Sequence, residues 1–301
     1  MTNQRGFSLA ELMIAMAIML LISGAATTAL LKMTSAQATV WNRTQMHSGI
    51  RGATEVLQQE VGQAGRVALP TVVTLGGDVA VGSATVAVSP ASSASAMFAG
   101  EYLTVDAGTS QETVQLTDVS TSPAQITAVF ANPHLNGAAV AVLGSFQAGV
   151  VPPSVTNGST GTVLKLFGDI NGDGNMVYIE YTCDTTAHNL YRNSMAWNAG
   201  AKSAPAASQI LLTNIAANPG NTACFTYQTT TVSGTDYVTD VAITLTVQTQ
   251  QVDPVTKAYQ TETKALLNVS PRNVFNAWMN ESIGNRERVQ PIPPSITALL
   301  P

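Results

Sequence analysis

The chain has 301 residues, of which 45% are apolar and only 10% charged, with a formal net charge of −5. So low a charged fraction, against roughly 25% in ordinary soluble domains, argues against a cytoplasmic enzyme surface, a coiled coil or a charge-rich disordered chain. The acidic balance argues against a nucleic-acid-binding surface over the whole molecule, and two cysteines allow one bridge but no zinc site. Abundant Thr, Ser, Val, Ala and Gly with few aromatics read as an exported, β-rich protein.

Residues 7–31 form one apolar run whose single charge is Glu11. About 20 apolar residues in a helix cross the hydrocarbon core, so the run is long enough to span a membrane and too long for an ordinary cleaved signal peptide. Arg5 precedes it and Lys32 follows it, which leans toward a cytoplasmic N-terminus. A carboxylate inside a span costs at least about 2.5 kcal/mol, so Glu11 needs a partner. No Lys or Arg lies within helical reach of it inside the span. A free α-amine on a neighbouring helix would serve, if the chain were cut between Gly6 and Phe7.

Gly6, Phe7 and Glu11, with a polar leader before them and a long apolar helix after them, resemble the type IV prepilin family, which includes the pseudopilins of type II secretion. Ser8 stands where Thr is common. The resemblance implies cleavage after Gly6 by a prepilin peptidase, methylation of the Phe7 amine, and an assembly role for Glu11. The bland alternative is a plain signal anchor with an accidental glutamate.

Beyond Lys32 there is no Pro before Pro70, and Met46, Ile50, Ala53, Leu57, Val61 and Ala64 recur at helical spacing. One helix is therefore predicted from about Phe7 to about Ala64, with Ser23-Gly24 a soft point and Gly65 a stop. Arg43, Arg51, Glu55 and Glu60 fall mainly off the apolar stripe. The string from Leu57 to Arg66 resembles the helix ending of PilW-like minor pilins.

No Lys or Arg occurs between Arg66 and Lys165. This stretch reads as an inserted all-β module with strands at 84–88, 102–106, 112–119, 125–130 and 138–142. Its role is either a spacer or an adhesive surface. Further on, Val177, Ile179, Tyr181 and Cys183 share one strand face, and Val241, Ile243, Leu245 and Val247 alternate in another. Asp253-Pro254 makes a turn and 259–269 returns as an antiparallel partner. The natural cover for that sheet is the stripe from Ile50 to Ala64. The fold class is thus α+β and pilin-like, with a long N-terminal helix packed on an antiparallel sheet. Its parts are a leader at 1–6, the long helix at 7–66, the insertion at 67–150, the β body at 151–272, and a short helix with a Pro-rich tail at 273–301. The stretches 177–181, 189–192 and 270–273 again resemble PilW-like and GspJ-like chains. The tail is read as a docked helix plus a loose end, or as an apolar contact for another subunit.

Cys183 and Cys224 are expected to form a disulfide rather than remain free thiols, which an oxidising compartment permits; closing that loop stabilises by about 4 kcal/mol in the chain-entropy model. Asp169, Asn171, Asp173 and Asn175, with Glu180 at the twelfth position, fit a calcium-loop pattern. The flanks read as strands, however, which puts Glu180 about 13 Å along and out of reach, and Asp, Asn and Gly also favour plain turns. His47, His134 and His188 lack metal-ligand spacing, and no nucleophile, Walker or zinc-protease motif appears, so no enzyme and no certain cofactor is expected.

The resemblance then implies a minor pilin of a type IV pilus-like filament, a single-pass inner-membrane protein with its body in the periplasm before it reaches a pilus (fimbrium) or pseudopilus at the cell surface. Its partners would be the major pilin, other minor pilins, the prepilin peptidase and the inner membrane, with no direct contact to nucleic acid. It would prime assembly near the tip and serve adhesion, twitching motility or DNA uptake. A GspJ-like pseudopilin, or a membrane-anchored calcium-dependent binding module, are the alternatives.

Overall fold

The computed structural model describes Gly6 and residues 8–301. Helix α1 (Leu9–Gln63) is unbroken for 55 residues. The soft point at Ser23-Gly24 stays helical, and the Thr27 and Thr28 hydroxyls donate back to the Ser23 and Gly24 carbonyls at 2.8 Å each. None of its most apolar window is buried. The chain divides into two compact units, Met1–Gly49 with Gln248–Glu262, and Ile50–Val247 with Thr263–Pro301.

Within the second unit, Ile50, Ala53, Leu57, Val61 and Ala64 are buried, as the helical spacing requires. Glu60 is buried too, although the sequence places it mainly off the stripe. Just past the helix, Gly65 adopts φ +85°, a conformation that costs glycine nothing. Its Cα lies against Gly149, where an added Cβ would meet it at 2.1 Å. Two glycines let the backbones touch, so that Gly65 N donates to Phe167 O and Phe146 N donates to Gly65 O.

Six strands follow: β1 (Val73–Leu75), β2 (Gly82–Ser89), β3 (Tyr102–Val105), β4 (Glu112–Thr121), β5 (Ala124–Phe130) and β6 (Ala139–Val142). They close into an antiparallel barrel in the order β1-β2-β5-β4-β3-β6. A closed barrel has no free edge to aggregate, and a register shift between Leu116 and Asp118 in β4 supplies local bend. Alternate residues such as Val86, Val88, Leu103, Val105, Val114, Leu116, Ile126 and Phe130 fill its interior. The barrel thus encloses a hydrophobic cluster of its own. Short β1, with three residues, is the strand that the sequence pattern did not mark.

The body holds two further sheets. One runs β11-β10-β9-β8, from β8 (Val163–Gly168), β9 (Val177–Asp184), β10 (Asn189–Ala196) and β11 (Ile210–Thr213). The other has β12 (Ile215–Ala216) and β13 (Phe225–Val232) beside the long β14 (Thr235–Gln248), which also pairs with β15 (Thr261–Val269). In β9 both faces are buried in mid-strand: Tyr178 and Glu180 are covered as well as Ile179 and Tyr181. Tyr178 packs in a second core with Phe98, Phe146, Phe167, Trp197, Ile296 and Leu299.

That core corrects the expected loose tail. β16 (Val289–Gln290) pairs in parallel with β7 (Ser145–Phe146), and α3 (Pro294–Leu299) buries Ile296, Leu299 and the following Leu300. The buried Gln290 side chain accepts from Tyr102 N at 2.9 Å and donates to Tyr102 O at 2.8 Å, stitching the barrel to the tail. Helix α2 (Arg272–Ser282) buries Val274 and Ala277, while Ile283 stays 75% exposed.

Candidate functional site

The start of α1 is where sequence and chemistry converge. Phe7 lies outside the described residues; Gly6 beside it is exposed. Ser8 N donates to Glu11 Oε2 at 2.9 Å, and Glu11 N donates to Ser8 Oγ at 3.3 Å. This reciprocal pair is a capping box: each side chain satisfies an amide that has no helical partner. The sequence carries the signal in Ser8-Leu9-Ala10-Glu11, a serine three residues ahead of a glutamate at the start of an apolar run. Glu11 thus has a polar partner in its own chain, though one that supplies no charge. Around it Leu9, Leu12, Met13 and Ile14 are 54–77% exposed.

Residues 1–27 match the family model of the prokaryotic N-terminal methylation motif. The match spans the leader, the Gly6–Phe7 junction, Glu11 and most of the apolar run, and it supports a type IV prepilin-like protein. The motif implies processing by prepilin peptidase and assembly with other pilins, and together with the apolar helix it fits a membrane-anchored pilin. No curated protein and no solved structure matches the chain.

Cys183 of β9 and Cys224, just ahead of β13, form a disulfide with Cα atoms 6.5 Å apart, closing a sequence separation of 41. It ties the two sheets of the body together.

The 169–175 loop is a turn closed by its own groups. Buried Asp169 accepts from the amides of Asp173 at 3.0 Å and Gly174 at 3.2 Å, and Asp173 accepts from Asn175 N at 2.9 Å. Arg66 Nε lies 3.3 Å from Asp169 Oδ2, without the alignment of a hydrogen bond. Asn171, Asp173 and Asn175 are exposed. Glu180 belongs to a different cluster: its carboxylate accepts from Tyr178 Oη at 2.9 Å and Lys202 Nζ at 3.0 Å, with Lys165 Nζ at 3.7 Å. Among the described residues no group of three His, Cys, Asp or Glu side chains could hold a metal ion.

Three buried polar clusters went unread in the sequence. Arg192 donates to Glu60 from Nε at 3.0 Å and from Nη2 at 2.6 Å, and Tyr181 Oη donates to the same carboxylate at 2.5 Å. Burial, then the Glu60 charge, pushes the Tyr181 phenol up. His134 sits buried between Asp106, 3.3 Å from Nδ1, and Glu112, 2.7 Å from Nε2; both ring nitrogens can donate only in the imidazolium form. Glu101 is fully buried, with one oxygen unpartnered, and burial raises its carboxyl to about 8. His47 pairs with Glu262, and His188 Nδ1 lies 2.9 Å from Ile215 O.

Proposed function

We propose that this chain is a minor pilin of a type IV pilus-like filament, PilW-like in kind. It is cut between Gly6 and Phe7, methylated at the Phe7 amine, and held in the inner membrane by residues 7–31 with its body in the periplasm. The observation that carries the reading is the coincidence of the methylation motif with an acid, Glu11, whose hydrogen-bond partner among the described residues is Ser8, in an apolar run that has no other charge up to Leu31. In a filament the same acid pairs with the Phe7 amine of a neighbouring subunit. That pairing neutralises a charge whose burial is otherwise costly. The capping box holds the Glu11 carboxylate at the helix start, one turn from the chain end that cleavage creates.

The role is structural rather than catalytic: the chain joins the major pilin and other minor pilins and helps to prime assembly. Docking of the tail, the disulfide and the closed barrel fit a body that must stay folded outside the cytoplasm. A sheared-filament preparation tests the reading. Wild-type protein should co-sediment with filaments at low stoichiometry, whereas Glu11→Val should stay in the membrane fraction and be missing from the filaments. Equal incorporation of both would refute the pairing.

A further inference from the structure

The unit formed by Met1–Gly49 and Gln248–Glu262 contains a feature that filament assembly does not explain. Its 249–260 connection runs along α1 toward the apolar span: Glu262 pairs with His47, Gln260 with Arg43, and Asp253 lies beside Thr39. Thr39 is eight residues beyond Leu31, about 12 Å along a helix axis. Gln251, at the start of the 251–259 turn, lines one groove with Met33, Thr34, Gln37 and Trp41, and Met33 is two residues beyond Leu31. A bilayer adds roughly 5–8 Å of headgroup to each side of its hydrocarbon core, so the span-side wall of this groove lies at headgroup level.

The turn is ordered, not loose. Buried Asp253 accepts from the amides of Val255 and Thr256 at 2.8 Å each and from Gln260 Nε2 at 2.6 Å, and Lys257 N donates to Asp253 O at 2.8 Å. This inner scaffold holds Val252, Val255 and Tyr259 outward at 43%, 67% and 51% exposure, and on the helix Trp41 is 72% exposed. Outward Val and Tyr side chains with Trp nearby suit contact with a lipid surface. Within this unit, the exposed charges on the helix and turn beyond the span are cations. Lys32, Arg43 and Lys257 are exposed, whereas Asp253 is buried and Glu262 is engaged by His47. Three cations against two acids leave a local excess of one positive charge, a departure in a chain whose total is −5. Trp and Tyr with flanking Lys and Arg are the composition of a membrane–water interface.

We propose that the 251–259 turn and Trp41 form a foot that rests on anionic phospholipid headgroups while the protein resides in the bilayer. The foot rests on the reading of residues 7–31 as a membrane span. It fixes the depth of this unit in the bilayer before extraction into a filament.

Full-length protein in vesicles of phosphatidylethanolamine and phosphatidylglycerol (3:1) tests this, with a nitroxide-headgroup lipid as quencher. Trp41→Phe should remove at least about half of the lipid-dependent quenching of wild type. Val255→Trp and Tyr259→Trp, each made in the Trp41→Phe background, should restore it, and replacing phosphatidylglycerol with phosphatidylcholine should weaken it at least about twofold. If the new tryptophans are quenched by aqueous iodide but not by the lipid nitroxide, while the protein resists carbonate extraction, the foot is wrong and the span stands. Release by carbonate would remove both.

Discussion

The two ends of α1 each carry a glutamate in apolar company, and they solve the problem in opposite ways. Glu60 is enclosed by its own chain, clamped by Arg192 and capped by the Tyr181 hydroxyl. Glu11 has one serine and a surround of exposed Leu, Met and Ile. An acid that the fold pairs internally is part of the architecture. One whose partner among the described residues is an uncharged serine, in a greasy surface, points to something outside the chain.

Glu101 is a third case and sharpens the contrast most: it is buried with an unpartnered oxygen and answers by keeping its proton. Between pH 4.5 and about 8 the unfolded chain releases that proton and the folded one does not. Stability therefore falls as pH rises through this window. The gap converts to at most about 5 kcal/mol at about 1.4 kcal/mol per unit. The stability difference between Glu101→Gln and wild type should accordingly grow in favour of the variant from pH 4 to pH 8, measured by urea unfolding in detergent. A difference independent of pH would mean that Glu101 is solvated.

Next in size is the covalent link. Cys183→Ser with Cys224→Ser should cost about 4 kcal/mol by loop-closure entropy, read as a lowered urea midpoint. Glu60→Ala should cost about 3 kcal/mol, because it strands a half-buried guanidinium and a fully buried phenol; a loss below about 1 kcal/mol would break the comparison from the internal side. Glu11→Val should shift the same midpoint by less than about 0.5 kcal/mol, since its hydrogen bonds among the described residues go to Ser8 at an exposed helix end. A large loss there would break it from the other side.

Legibility followed the type of signal. The span was readable from composition, the buried half of α1 from its 3.6 period, and the barrel strands from short alternating runs between turn residues. Glu60 was missed because helical periodicity assigns a charge to the outer face and cannot foresee an arginine on β10. Both faces of β9 are buried because the tail folds back over Tyr178, a contact that local pattern does not encode. The tail itself looked loose because Pro293 and Pro294 suggest a break, whereas Pro294 opens α3, where its missing N–H costs nothing. At the N-terminus the acid and the leader were legible, but Ser8 was read as a variant residue rather than as the cap it is.

The central claim is that Glu11 awaits the α-amine made by cleavage after Gly6. Mass mapping of the N-terminus, on protein purified from cells with an active prepilin peptidase, tests it most directly. The account predicts a mature chain that begins at N-methylated Phe7. A chain that retains Met1 to Gly6 would contradict it.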